Sequence, residues 1–286
     1  MKVIRTVSEL RSTVEKARAK GLTIGLVPTM GALHAGHISL VDRARSENDV
    51  VVVSVFVNPT QFNNANDLAT YPRTEEADCA KLEASGADIA FIPTVKEVYP
   101  EPDTRQFDLG KVAEVMEGAM RPGHFNGVAQ IVSKLFAYSQ PTRAYFGEKD
   151  FQQIAVIRRM AEIEGFDLEI VACPIMREPD GLAMSSRNVR LTPHQREVAP
   201  NIARILRESL EYAASNSLTA TKQWVVDRIN AYEEMEVEYY EIVDASTMQP
   251  VSNWADTESA VGCVTVWLGD VRLIDNIKYP NQQKYD

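Results

Sequence analysis

Apolar positions along the chain fall into two alternating rhythms. Ser8 to Lys20 is polar and helix-like and stops at Gly21, after which Leu22 to Val27 is a short apolar run that predicts a strand. Leu33, His37, Leu40, Val41 and Ala44 then recur at intervals of three and four, the spacing of a helix with one apolar face, extending to near Asn48. Val50 to Val57 is almost continuously β-branched, as expected of a strand covered on both faces inside a parallel sheet, and it breaks at Asn58-Pro59. Further helices are expected from about Glu75 to Ser85, from Arg121–Val128 to about Ser139, and up to about Glu164; strands are expected at Asp88 to Ile92, Arg143 to Phe146 and Leu168 to Cys173. Residues 63–70 read as a polar loop and Pro93 to Gly118 as a long irregular connection. This alternation predicts an α/β fold, a Rossmann-like doubly wound parallel sheet.

The rhythm changes after the turn-rich passage Ile175 to Gly181. Thr192-Pro193-His194-Gln195 has a capping threonine, a proline at the first helical position and a glutamine at the third, a good helix start with His194 on the surface. Helices to about Ala214 and from Thr219 to Tyr232 precede strands near Val237–Val243, Ala260–Leu268 and Val271–Ile277, with a polar tail beyond. Two domains follow: 1–175, nucleotide- and substrate-binding, and 176–286, a second, smaller α+β domain closing over the first.

Candidate chemistry collects at strand ends. Val27 to His37 is a strand-turn-helix, and the unpaired N–H groups of a helix start favour phosphate. Gly31 and Gly36 remove Cβ atoms where a ligand approaches, and His34 and His37 leave one side of the first turn, able to donate hydrogen bonds to phosphate. Taken alone, the same residues read as two surface histidines beside a helix start. Gly147-Glu148-Lys149-Asp150 repeats the geometry: Lys149 is a mobile charge for phosphate, Asp150 suits ribose hydroxyls or a metal shell, and Gln153 faces the same way one turn on. Asn58, Thr60 and Gln61 lie beyond the carboxyl end of a central strand, where open α/β sheets bind ligands, although Asn-Pro is also a common turn former. Arg121 can clamp a carboxylate or phosphate, His124 reads as structural, and Asp78 reads by default as a solvated helical carboxylate. In Met184-Ser185-Ser186-Arg187-Asn188, two hydroxyls beside an arginine suit triphosphate oxygens.

Composition narrows the partners. A net charge of −10 gives no general attraction to nucleic acid or anionic membrane, and no apolar run approaches the ~20 residues that cross a bilayer. The opening Met1-Lys2-Val3-Ile4-Arg5 has no apolar signal-peptide core, so a cytoplasmic location is expected. Cys79, Cys173 and Cys263 are widely spaced and odd in number, and read as buried, reduced thiols.

Six ordered motifs resemble the pantothenate synthetase (pantoate–β-alanine ligase) family of the HIGH-motif nucleotidyltransferases. They are Pro28-Thr29-Met30-Gly31-Ala32-Leu33-His34-Ala35-Gly36-His37, Phe56 to Phe62, Tyr71-Pro72-Arg73-Thr74, Arg121 to Val128, Gly147 to Gln153 and Met184 to Asn188, with Leu273-Ile274-Asp275-Asn276 similar to the family's end. Ala35 departs from the pattern, where the family often has glutamate; it is expected to point outward. The resemblance implies an ATP- and magnesium-dependent ligase that forms pantoyl adenylate from pantoate and passes the acyl group to β-alanine. It implies ATP contacts from Met30, Gly31, Ala32, Leu33, His34, Ala35, Gly36 and His37, from Gly147, Glu148, Lys149 and Asp150, and from Met176, Met184, Ser185, Ser186 and Arg187. His34, His37, Lys149, Ser185 and Arg187 are the implied catalytic groups. Gln61 and Gln153 would hold pantoate, Gln61 would also approach β-alanine, Pro28, Met30, Asn58, Tyr71 and Arg121 would lie around them, and Asp78 would support magnesium or the phosphates. A homodimer is also implied. Another nucleotidyltransferase of the superfamily, or a nucleotide sensor without chemistry, remains the alternative; neutral Gln61 and Gln153 suit a hydroxy acid better than a phosphate monoester.

Overall fold

The computed structural model describes residues 1–280. In chain order its elements are β1 (Lys2–Ile4), α1 (Val7–Arg18), β2 (Ile24–Thr29), α2 (Ala35–Glu47), β3 (Val50–Val55), α3 (Ala65–Thr70), α4 (Glu75–Ala84), β4 (Ile89–Phe91), α5 (Val95–Val98), α6 (Glu117–Met120), α7 (His124–Ser139), β5 (Arg143–Gly147), α8 (Phe151–Glu164) and β6 (Glu169–Cys173). The second half adds α9 (Pro193–Val198), α10 (Asn201–Ala213), α11 (Leu218–Asn230), β7 (Met235–Asp244), β8 (Ala260–Leu268) and β9 (Val271–Tyr279). The first six strands form one parallel sheet in the order β1-β4-β3-β2-β5-β6, and the last three an antiparallel sheet, β7-β8-β9. The α/β fold with a smaller α+β part is as expected.

Strand sequences show why both faces of the larger sheet are covered. Ile24 and Leu26 of β2, with Val52 of β3, join the core under α1, α7 and α8, whereas Val27, Val51 and Val53 join the opposite core against α2 and α4. Each such fully buried aliphatic side chain contributes about 1.5–3 kcal/mol relative to exposure. A continuous β-branched run is what this two-sided burial requires. In the smaller part, Ile202, Ile205 and Leu206 of α10 pack with Val225 and Ile229 of α11 onto Tyr240, Ile242, Val264 and Val266. Met116 meets Val243, Met248, Val261 and Cys263 in a separate cluster that joins the two parts.

Several expectations are corrected. β1 pairs with β4 through only three residues, too short for any periodicity to announce. Residues 63–70 contain α3, capped by Asn64, whose side chain accepts from Asn66 N and Asp67 N. The connection 93–118 carries α5, a 3₁₀ turn and the start of α6. The polar tail begins later than expected: β9 runs on through a buried Tyr279, and residues 281–286 of that tail lie outside the described residues. Cys173 and Cys263 are buried and free, while Cys79 is only half-buried.

The order in which strands are added across the sheet reverses between β2 and β5, which are parallel neighbours although 114 positions separate Thr29 from Arg143. Ligands of open α/β sheets bind at the carboxyl ends of strands beside such a switch point. The loops after β2, β3 and β5 all open there.

Candidate active site

The loop after β2 is held by a buried acid. Asp78, from the first turn of α4, is fully buried; its Oδ2 accepts from Ala32 N at 2.9 Å and its Oδ1 from Leu33 N at 2.8 Å. Ala32 adopts φ +49°, a strained conformation for a residue with a Cβ, which costs about 1–3 kcal/mol and persists only where its surroundings enforce it. The two carboxylate bonds supply that enforcement. This corrects the solvated reading of Asp78, and the side chain is absent from the cavity wall.

His34 caps α2, its Nδ1 accepting from Gly36 N at 3.1 Å, and His37 Nδ1 accepts from His34 N at 3.3 Å. A Cβ on residue 36 would lie 2.8 Å from the His34 ring, so only glycine admits this fold-back. Because each Nδ1 accepts from the backbone, a neutral ring carries its proton on Nε2. Burial first, then the Lys149 ammonium, pushes His34 down to about 4; burial, then His34 and Lys149, pushes His37 to about 3. Both imidazoles are therefore neutral donors near pH 7.

A cavity of about 230 Å³ opens over these rings. Lys149 and Asp150 reach it from the turn after β5, their two charges 4.0 Å apart. Asn276 Nδ2 of β9 donates to the carbonyls of Glu148 at 2.8 Å and Lys149 at 3.1 Å, tying that turn to the smaller sheet. Gln153 of α8 lines the same wall.

The opposite end is neutral. Asn58 Nδ2 donates to Gln61 Oε1 at 3.1 Å and to the Gly127 carbonyl at 3.1 Å, and Tyr99 OH donates to Asn58 Oδ1 at 2.8 Å. A Cβ on residue 127 would lie 2.4 Å from the Thr60 carbonyl, so α7 packs this tightly against the loop only through glycine. Gln61 Nε2 points to Met30 Sδ at 3.3 Å. Val128, Ile131, Val132 and Leu135 supply an apolar wall outside the expected site residues, on one face of α7 at helical spacing.

A third wall comes from residues 184–187. Ser186 Oγ donates to the Ala32 carbonyl at 3.1 Å, and Ser185 Oγ accepts from Arg187 N at 3.2 Å. Arg187 pairs with Asp67 of α3 at 2.8 Å and lies over the Tyr71 ring at 5.7 Å. Asp67 was not among the expected residues, since only the fold brings it to Arg187.

Pro28, Met30, His34, Gly36, His37, Asn58, Gln61, Tyr71, Gly147, Lys149, Asp150, Gln153, Met176, Met184, Ser185, Ser186 and Arg187 line one cavity. Gly31, Ala32, Leu33, Ala35 and Glu148 do not; Ala35 is exposed, and the others shape the loops behind the wall. Arg121 does not line it either: it lies in an adjoining cavity against Glu117 and His124.

The model of the pantoate-beta-alanine ligase family matches residues 2–278. The chain belongs to the pantoate–β-alanine ligase family. Among proteins similar to it, the pantothenate synthetase of Porphyromonas gingivalis strain W83 is 61% identical over 279 residues, covering 98% of this chain and 99% of the relative. That of Phocaeicola vulgatus is 61% identical over 280 residues, covering 98% and 99%. The crystal structure of pantothenate synthetase from Thermus thermophilus superimposes with a TM-score of 0.92 at 45% identity, over 98% of this chain and 100% of that one. Pantoate-beta-alanine ligase from Francisella tularensis, complexed with beta-gamma ATP and beta-alanine, gives 0.79 at 36% identity, over 97% of each chain. The ligases of this family use ATP to join a carboxylate to an amine. A cavity with cationic and N–H donors at one end and neutral amides at the other suits that task.

Proposed function

We propose that this chain makes pantothenate at the cavity in two steps. A carboxylate oxygen of pantoate attacks the α-phosphorus of ATP, forming pantoyl adenylate as the bond to pyrophosphate breaks. The amine of β-alanine then attacks the acyl carbon, forming the amide and releasing AMP and a proton. The observation carrying the reading is that two imidazole Nε2 donors and Lys149 share one cavity with the Gln61 and Gln153 amides. The first group stabilises charge moving onto pyrophosphate, and His37, held neutral, acts as a hydrogen-bond donor. The amides meet pantoate's hydroxyl and carboxylate oxygens without the charge that a phosphate monoester would demand. Ser185, Ser186 and Arg187 contact the triphosphate and keep water from the adenylate, with Met176 and Met184 framing the nucleotide.

Magnesium belongs to the proposal as a partner of the ATP phosphates. No cluster of three or more His, Cys, Asp or Glu suited to a metal occurs among the described residues. Magnesium needs no such cage: it binds through phosphate oxygens, water and one or two carboxylates. Asp150 is the one carboxylate lining the cavity among the described residues and fits that part. Asp78 fits indirectly, through the loop it holds. When bound, the ion neutralises phosphate charge. A cytoplasmic homodimer, with the 176–286 unit closing over the site, completes the proposal on family resemblance; among the described residues no helix is long and apolar enough to cross a membrane. Light scattering that gives the mass of one chain would remove the dimer.

Pantoate-dependent exchange of labelled pyrophosphate into ATP, with magnesium and without β-alanine, tests the chemistry. Exchange that needs pantoate, and falls by about 10²-fold or more in His37→Ala and Lys149→Ala, is expected. Protein that binds ATP yet neither exchanges nor makes pantothenate would overturn the ligase reading in favour of a sensor or another acceptor.

A further inference from the structure

Four half-buried charged groups, Glu117, Arg121, Glu238 and Arg272, form a network outside the wall of the 230 Å³ cavity. Glu117, at the start of α6, accepts at Oε1 from Arg272 Nη2 (2.7 Å), Tyr239 OH (2.7 Å) and Thr265 Oγ1 (3.2 Å), and at Oε2 from Arg272 Nη1 (2.9 Å). Arg272 also donates through Nε to Glu238 Oε2 at 2.9 Å. On its other side Glu117 Oε2 accepts from Arg121 Nη1 at 3.3 Å, and the same Nη1 lies 3.3 Å from His124 Nε2. His124 Nδ1 lies 2.8 Å from the Gln61 carbonyl. A carbonyl only accepts, so Nδ1 carries the proton and Nε2 accepts from Arg121. An unbroken chain of polar contacts thus runs from β9 of the smaller sheet to the backbone of Gln61.

Partial burial of such a set is weak evidence for stability, because desolvation of the ions offsets much of their attraction. Two carboxylates and two guanidiniums balance in charge, yet an apolar cluster of similar volume would cost less. The segment is also strained: Met116, just before Glu117, has φ +46°. A second contact points toward the cavity, since Glu117 N donates to Gln152 Oε1 at 3.1 Å, and Gln152 Nε2 donates to the Val115 carbonyl at 2.8 Å. Gln152 immediately precedes Gln153. One short helix therefore holds the backbone behind Gln61 and the residue beside Gln153.

We propose that Glu117, anchored by Arg272, is a positioning residue that sets the pantoate-facing amides through Arg121, His124 and Gln152. The proposal rests on the reading that Gln61 and Gln153 hold pantoate. It assigns to Arg121 a role behind the site in place of the substrate clamp expected from sequence. It also makes the smaller sheet part of the pantoate site without lending that site a side chain.

The test is steady-state kinetics of the full chain with each substrate varied in turn. Glu117→Gln removes the charge that orders both arginines and keeps its shape. Its KM for pantoate is expected to rise about tenfold, the size of one broken coupling in a hydrogen-bonded network, with KM for ATP within about twofold of wild type. Glu117→Asp, which keeps the charge and carries less folding risk, is expected to show an intermediate rise. Glu238→Gln breaks the other partner of Arg272 without touching Arg121, and is expected to lower Tm while leaving KM for pantoate unchanged. A pantoate KM that stays at the wild-type value in both Glu117 variants, or that rises equally in Glu238→Gln, overturns the proposal. Gln61→Ala separates the two claims. If it leaves KM for pantoate unchanged, the pantoate reading fails and the relay with it; if it raises KM and the Glu117 variants do not, only the relay fails.

Discussion

Replacing Asp78 by asparagine tests how the phosphate-facing loop is held. The side chain keeps its shape and one carbonyl oxygen, so one of the two bonds to Ala32 N and Leu33 N survives. At the other, an NH₂ group faces an N–H. Each carboxylate bond contributes about 1.5–3 kcal/mol, and a buried donor left without an acceptor costs about 1–3 kcal/mol more. Relaxation of Ala32 from φ +49° returns about 1–3 kcal/mol. The net loss is about 2–3 kcal/mol, which for a chain of this size lowers Tm by about 5 °C. Displacement of the two amides should also raise KM for ATP about tenfold, since small misplacements at a reacting centre are costly. Thermal melts in EDTA and in magnesium, with pyrophosphate exchange at varied ATP, read both effects. A loss of stability that is the same in EDTA means the carboxylate serves the loop. An Asp78→Asn protein with wild-type Tm and wild-type KM for ATP would refute the argument, and a defect seen only with magnesium would return Asp78 to the metal.

Two further outcomes follow from the same geometry. Burial holds His34 and His124 down to about 4 and His37 to about 3, while in the unfolded chain each takes a proton near 6.5. The unfolded state therefore binds more protons below pH 6.5, so stability from these groups is full above that pH and falls as pH drops toward 4. Urea midpoints should decline between pH 7 and 5, less steeply in His124→Gln; a flat profile would contradict the buried neutral rings. In Gly127→Ala the new Cβ meets the Thr60 carbonyl at 2.4 Å. About 1–3 kcal/mol of destabilisation, with KM for pantoate raised and KM for ATP unchanged, is expected from this overpacking, and unchanged pantoate kinetics would show that the loop tolerates the shift.

Sequence carried most of the cavity because its parts are local. His34, His37, Lys149, Asp150, Gln61 and Ser185 to Arg187 each lie at the end of an element whose periodicity is strong, and the sheet order places those ends together. Residues that act by pairing across the chain were not legible. Asp67 matters through Arg187, 120 positions away, and Glu117 through Arg272, 155 away; each alone is an ordinary surface charge in composition. Asp78 misled for the opposite reason. An acid in the first turn of a helix is favoured by the helix dipole wherever it points, so its pattern says nothing of the loop it faces. The three residues of β1 and the six of α3 were too short to leave a rhythm.

The bonds from Asn276 to the carbonyls of Glu148 and Lys149 bear on the order in which the molecule is made. During translation all six strands of the parallel sheet emerge before residue 180, together with both histidines and the lysine. The side chain that ties down the lysine's turn leaves the ribosome about a hundred residues later, within β9. A partial chain can thus own every cationic group of the site and still lack the tether that fixes the turn carrying Lys149, so the finished geometry belongs only to a chain synthesised through β9.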